Sequence, residues 1–368
     1  MQLISLHVLP RLYAAQACVA LSLVLAACGS GDGSRENVLE PIKVTKVLPH
    51  DTDDPAIWID SLNPGGSLIL GTDKDADGGL YVYDLEGRID STKSVKGLQR
   101  PNNVDVEYGL MLGGKRVDIA VATERLTHKL RVFSLPEMKP VDGGGITVFE
   151  GETAEGYRDL MGIALYRDTT GNVYAIVGRK NGPTDGTYLW QYLLGDNGRG
   201  IVSARLVRKF GQYSGMKEIE SIMVDDKLGY VYCSDEGVGV RKYYADTLRG
   251  NTELALFARE GFSVDHEGIS LYETSDSTGF ILVSDQGSDR FHIFPREGST
   301  GNPHRHPDLR SVRVRADESD GSEITSFPLG AQYPRGIFVV MSTDRTFHYY
   351  LPEKVIGDSL LNIRAALR

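Results

Sequence analysis

From about residue 41 the chain repeats itself, and the repeat is built from strands. Apolar or β-branched runs recur at Leu68-Ile69-Leu70, Leu80-Tyr81-Val82-Tyr83, Val117-Asp118-Ile119-Ala120-Val121 and Val173-Tyr174-Ala175-Ile176-Val177. They continue at Tyr230-Val231-Tyr232-Cys233, Phe280-Ile281-Leu282-Val283 and Gly336-Ile337-Phe338-Val339-Val340. Gly, Asp, Asn or Pro bounds each run, the composition of tight turns, and the dominant period is two rather than 3.6. A turn such as Thr170-Gly171-Asn172, Leu228-Gly229 or Thr278-Gly279 opens each unit. An apolar strand, a polar loop and a second strand ending in aromatics follow, as in Tyr188-Leu189-Trp190-Gln191-Tyr192, Val240-Arg241-Lys242-Tyr243-Tyr244 and Arg290-Phe291-His292-Ile293-Phe294. The unit returns every 50 to 60 residues or so, roughly the period of propeller blades.

Dividing about 330 residues by that period gives about six units. The expectation is an all-β fold, a six-bladed propeller of four- to five-stranded antiparallel blades over residues 41–368. A pair of β-sandwiches or a β-helix is the alternative on pattern alone. In a propeller the loops at one end of the blades gather at one mouth. Carboxylates that end the recurrent strands (Asp73, Asp235-Glu236 and Asp285-Gln286) are therefore expected to converge there, each just after the first strand of its blade. A short C-terminal helix is expected over Leu360 to Leu367.

The first 28 residues read as an export signal. Arg11 supplies the positive charge, Ala14 to Ala27 is mostly apolar, and the run is too short to span a bilayer. Leu25-Ala26-Ala27-Cys28 resembles the bacterial lipobox, with Cys28 as the lipid attachment site; residues 29–40, rich in Gly and Ser, are expected to be a flexible tether. The resulting expectation is an exported lipoprotein, anchored by lipid to the outer membrane of a Gram-negative bacterium and otherwise a monomer. Once Cys18 and Cys28 are committed, Cys233 has no partner and no internal disulfide forms. The net charge of −10 provides no basic stripe for nucleic acid, though it leaves room for a local cationic pocket.

Asp51-Thr52-Asp53-Asp54-Pro55 crowds three carboxylates ahead of an apolar segment. Alone it is either a solvated acidic turn or a site completed by a hard cation such as Ca²⁺ or Mg²⁺. Further polar clusters lie at Asn102-Asn103-Val104-Asp105, Glu218-Ile219-Glu220, Asp235-Glu236, Asp265-His266-Glu267, Asp285-Gln286-Gly287 and Asp317-Glu318-Ser319-Asp320-Gly321. Lys74, Arg125, His128, Lys129, Arg179, Lys180 and Arg290 are the cations near turns. Carboxylates on one rim would hold several Ca²⁺ ions, and cations among them call for a substrate carrying several phosphate or carboxylate groups. There is no Gly-x-Ser-x-Gly elbow, no His-Glu-x-x-His pair, and Cys233 lies inside an apolar strand. Metal-activated water is the chemistry that remains.

Taken in order, Asp53-Asp54-Pro55-Ala56-Ile57-Trp58, Gly79-Leu80-Tyr81-Val82-Tyr83-Asp84-Leu85-Glu86-Gly87, Asn102-Asn103-Val104-Asp105, Glu267-Gly268-Ile269, Ser284-Asp285-Gln286-Gly287 and Tyr333-Pro334-Arg335-Gly336 resemble the β-propeller phytases. These are calcium-dependent phosphatases acting on inositol hexakisphosphate, and the likeness covers nearly the whole chain after the signal. It implies a six-bladed propeller and a phosphoric monoester hydrolase of the 3-phytase type, with calcium phytate and lower inositol phosphates as substrates. It implies calcium ligation by Asp53, Asp54, Glu220, Glu236, Asp265, Glu267 and Asp320. Glu220, Glu236, Asp265, Glu267, Gln286 and Asp320 would hold the catalytic ions and their water, with Glu220, Asp265, Glu267 and Gln286 as the catalytic residues. Lys74 and Arg125 resemble the family's phosphate-contacting cations, and Arg179-Lys180, which stands where a Lys-Glu pair is usual, is expected to bind substrate phosphate with them. Three further departures are Asp75 in place of a second lysine, Met161 in place of a tyrosine, and Ser221 after Glu220 in place of glycine. A propeller lactonase or esterase, and a non-catalytic binding propeller stabilised by calcium, are the competing functions.

Overall fold

The computed structural model describes residues 37–263 and 265–366. Six antiparallel sheets follow one another along the chain, five of four strands and one of five. The first blade runs through Thr52–Trp58, Leu68–Asp73, Gly78–Tyr83 and Val95–Leu98. The second has Pro101–Leu112, Lys115–Glu124, Lys129–Leu135 and Ile146–Thr147, with Lys139–Pro140 added beside the third of these. The third comprises Leu160–Arg167, Val173–Arg179, Leu189–Asp196 and Val202–Phe210. Ile222–Asp225, Tyr230–Asp235, Gly239–Tyr244 and Ala255–Phe257 make the fourth. His266–Glu273, Gly279–Asp285, Arg290–Pro295 and Arg310–Arg313 make the fifth. In the sixth, Ser322–Thr325, Ile337–Ser342 and Thr346–Tyr350 are joined by Lys43–Val44 from the other end of the chain, in the register Lys43↔Tyr349 and Val44↔His348. That strand closes the six-bladed propeller and leaves no open edge between last blade and first.

Blades pack face to face, so the core is divided by seam. Six separate hydrophobic clusters each join two neighbouring blades, as where Trp58, Leu70 and Val82 meet Ala120, Ala122 and Phe133. A strand in the middle of a blade is covered on both faces and loses its alternation, as parallel strands in layered folds do. Leu68–Asp73 and Gly279–Asp285 are buried at every position, whereas the outer strand Val202–Phe210 alternates. These fully sandwiched runs are the loud apolar repeats of the sequence, and they are the second strands. The recurrent carboxylates Asp73, Asp235 and Asp285 therefore end second strands, not the innermost ones as expected. The innermost strands are less apolar because one side of each faces the central channel.

Order begins before residue 41. Leu39, placed in the expected tether, exchanges backbone hydrogen bonds with Arg313 and Arg315, and Glu40 pairs with the Arg315 guanidinium. At the other end Pro352–Ile356 and Asp358–Ala366 are helices, and Val355, Ile356 and Leu361 cover the seam between the fifth and sixth blades. The signal segment and Cys28 lie outside the described residues.

Candidate active site

One position repeats with one job in all six blades. The last residue of the second strand is buried, and its side chain fastens the backbone that leads into the innermost strand. Asp73 accepts from the Asp51 amide (2.8 Å), Glu124 from Gln99 (3.0 Å) and Asp235 from Ser214 (2.9 Å). Asp285 accepts from Ser263 (2.9 Å) and the Ser342 hydroxyl from Asp317 (3.2 Å). In the third blade the polarity is reversed: Arg179 donates to the Tyr157 carbonyl (3.2 Å). Its guanidinium also donates to the carbonyls of Tyr188 and Thr187, meets Glu152 and lies over the ring of Phe149. Arg179, expected to contact phosphate, is fully buried in this staple, with Nε, Nη1 and Nη2 each donating to a carbonyl.

Side chains alternate along a strand, so the residue after each staple points the other way, to the mouth. Those residues are Lys74, Arg125, Lys180, Glu236, Gln286 and Thr343. Three consecutive blades thus present cations, and the next two present a carboxylate and an amide.

A second ring is set by the innermost strands. Pairing slips by one residue between Thr52 and Pro55, Pro101 and Val104, Leu160 and Ile163, and His266 and Ile269. The extra residue is a β-bulge, a device that re-aims side chains beside functional sites. It turns Asp53, Asn102, Met161 and Glu267 toward the mouth, and Glu220 and Asp320 stand at the same place in the two remaining blades. Asn102 Nδ2 reaches both Asp53 Oδ2 (3.1 Å) and Glu220 Oε1 (3.3 Å). Lys74 Nζ bridges Asp53 Oδ1 (2.5 Å) and Asp320 Oδ2 (2.9 Å), and Gln286 Nε2 donates to Asp320 Oδ1 (2.5 Å). Arg125 donates to the Leu160 carbonyl (3.1 Å) and meets the Met161 sulfur, where a ring oxygen is missing. Such closeness needs glycine behind the ring. A Cβ on Gly162 would lie 2.0 Å from the Glu220 backbone oxygen, and one on Gly321 would lie 2.5 Å from that of Asp53.

Carboxylates dominate one side. One oxygen each from Glu218, Glu220 and Glu236, and one each from Glu236, Asp265 and Glu267, lie within 4.8 Å of one another. Burial first, then the neighbouring carboxylates, raises Glu220 and Glu267 well above the usual range and pushes Glu236 up to about 8. Burial also pushes Asp53 up to about 7 against the pull of Lys74. Lys74 itself stays charged: burial opposes the charge, but Asp53, Asp320 and Glu220 outweigh it. Glu236 Oε1, Glu267 Oε2 and Asn102 Oδ1 are buried without a hydrogen-bond donor. Desolvated, crowded oxygens with too few donors fit a hard cation.

Asp53 and Asp54 part company. Asp53 faces the mouth, whereas Asp54 accepts from the Val104 amide (3.1 Å) and looks down the channel. There it lines a cavity of about 240 Å³ with Asn103, Asp105 and Glu323. Burial raises Asp54 and Glu323 well above the carboxylate range and Asp105 to about 7, and the Asn103 side-chain oxygen Oδ1 has no donor. Asp51 is a neighbour: its backbone oxygen accepts from Lys74 N (2.7 Å). Sequence reasoning missed Glu323, which stands alone in its strand, and Lys217, which no motif marks. Lys217 pairs with Asp265, as Lys180 does with Glu218 (2.9 Å).

The 3-phytase of Bacillus subtilis (strain 168) is 29% identical over 296 residues, 78% of this chain and 73% of its own length. Among solved structures the Dos1 propeller superposes with a TM-score of 0.41 at 11% identity, over 83% of this chain and 67% of that one, a likeness too low to bear on the fold. The family model described as Phytase matches residues 18–347, and the chain belongs to that family.

Proposed function

We propose that the chain releases inorganic phosphate from phytate, and from lower inositol phosphates, in a calcium-dependent hydrolysis at this mouth. The carrying observation is the make-up of the outer ring: Lys74, Arg125 and Lys180 from three consecutive blades, beside the carboxylates gathered around Glu236, one of which, Glu218, pairs with Lys180. A ligand that satisfies both halves carries several anionic groups, some on the cations and some on metal held by the carboxylates. Membership of the phytase family and likeness to a 3-phytase support phosphomonoester hydrolysis of that type.

The donor set suits calcium. It is all oxygen, rich in carboxylate and irregular, whereas magnesium asks for near-octahedral geometry and keeps its waters. Asp53, Glu220, Glu236, Asp265, Glu267 and Asp320 would hold ions in the mouth, with Glu218 as an added ligand. Asp54 would serve a separate ion in the channel. When bound, calcium would neutralise phosphate charge and activate water. Lys74, Arg125 and Lys180 take phosphate oxygens and stabilise charge as the phosphorus is attacked in line. Gln286 donates an N–H at the edge of the oxygen half, and Glu220, Asp265 and Glu267 orient the attacking water. Water adds across one P–O bond, and the inositol oxygen leaves with a proton. Cys233, fully buried and with its thiol pushed up by burial, cannot serve as nucleophile, so no phosphoenzyme is expected.

The setting we propose is an exported lipoprotein held to the outer membrane through Cys28 and acting as a monomer. Phosphate release from calcium phytate, with and without chelator, tests the activity. Wild type should lose activity in chelator, and Glu267→Ala should fall by about a hundredfold or more, the order seen when one charge-stabilising group is removed. Chelator-insensitive release overturns the calcium reading, and no release at all favours a binding propeller.

A further inference from the structure

Lys217 is a cation seated among the carboxylates of the mouth. It sits in the loop before the innermost strand of the fourth blade and pairs within the Asp265 triplet, whereas Lys180 pairs with Glu218 of the neighbouring one. The loop is fixed: Asp235 holds Ser214 through its amide (2.9 Å) and its hydroxyl (2.7 Å), and the Tyr213 hydroxyl donates to the Lys217 carbonyl. The side chain is not fixed in the same way. It is 45% exposed, and its ammonium pairs with one oxygen of Asp265. Asp265 is a member of the triplet with Glu236 and Glu267.

Two cations cannot share that oxygen. A dication seated in the triplet takes charge from Asp265 and repels an ammonium a few ångströms away. The flexible four-carbon stem lets the ammonium swing clear, at little cost because half-exposed ion pairs are weak. An ammonium released from Asp265 but held by this anchored loop stays beside the carboxylates that would hold the ion, where substrate phosphates would lie. We infer that Lys217 is a substrate-binding residue released by calcium, so that metal loading of the Asp265 triplet adds a phosphate contact. The inference rests on the calcium-phytase reading above. It makes the metal-free site a resting state in which lysine stands in for the ion.

The test pairs two bindings with opposite expectations. Calcium titration of the metal-free protein by calorimetry should show a tighter site in Lys217→Met, by about two- to fivefold, because the competing ammonium is gone. Binding of myo-inositol hexasulfate, a non-hydrolysable polyanion, to the calcium-loaded protein should weaken by a similar factor. KM for phytate should rise while kcat holds, and Lys217→Arg should restore the polyanion contact. A purely structural lysine would leave calcium affinity unchanged or lower it, and either result overturns the inference. So does unchanged hexasulfate binding. If wild type itself neither binds calcium in the mouth nor releases phosphate, the underlying reading fails instead, and the wild-type arm identifies that case.

Discussion

At the scale of single residues, the site depends on the absence of a side chain as much as on the ligands. Gly162 lies where the third blade touches the backbone of Glu220, with no flexible atom to give way. Gly162→Ala should push Glu220 outward, lowering calcium affinity and phosphate release by about tenfold or more, since small displacements at a reacting centre are costly. Calcium calorimetry with circular dichroism would check it, and unchanged affinity in a folded variant would contradict the account. Most carboxylates of the mouth were legible in the sequence because acidic clusters at strand boundaries are conspicuous. Arg179 was not legible. Beside Lys180 it reads as half of a cationic pair, and only the alternation of the strand assigns one to the staple and the other to the mouth. Lys217 gave no signal, since a lone lysine in a polar loop looks like any solvated charge.

Among the elements, the outer loops show how blades are buttressed away from the mouth. The segment between Arg290–Pro295 and Arg310–Arg313 leans on the fourth blade, where buried Lys242 donates to the Pro303 carbonyl (2.7 Å) and lies 3.2 Å from His306 Nε2. His306 Nδ1 faces the Pro295 carbonyl (2.7 Å) and so donates, which leaves Nε2 as the acceptor for Lys242. Burial first, then Lys242, pushes His306 down to about 4 from 6.5. A lowered histidine stabilises the fold fully above its unfolded value, and that contribution is lost as pH falls from 6.5 through 4. Melting temperatures across this window should therefore fall, and His306→Gln, which keeps an acceptor without titrating, should flatten part of the slope. Parallel losses in both proteins would refute this. The repeat itself was legible because sandwiched second strands are continuous apolar runs. Its phase was not, because the innermost strands face the channel, carry polar bulges and speak softly in an apolar scan.

For the molecule as a whole, closure and charge dominate. Lys43–Val44 ties the two ends of the ring together, a long-range pairing that two short residues in the sequence do not announce. No helix among the described residues is long and apolar enough to cross a membrane. Carboxylates crowd the mouth and channel, and burial with their mutual repulsion raises several of them, so a seated cation would relieve that repulsion. Calcium at a hundred times its dissociation constant should add about 2.7 kcal/mol per site, raising Tm by on the order of 5 °C. Differential scanning fluorimetry with calcium and with chelator would measure the shift, and coincident melts would speak against bound metal.

The staples at the ends of the second strands also make the site a matter of counting. Staple and mouth residue are adjacent, and only parity separates them: Arg179, the last residue of Val173–Arg179, is buried, and Lys180 just after it is exposed. Losing one residue from such a strand would exchange the two roles, sending Lys180 to the interior and leaving the loop before the innermost strand unfastened. Replacing a side chain there edits one contact, whereas dropping a letter rewrites a whole spoke. The frame of these six strands is therefore expected to be held more strictly than the identity of any residue on them.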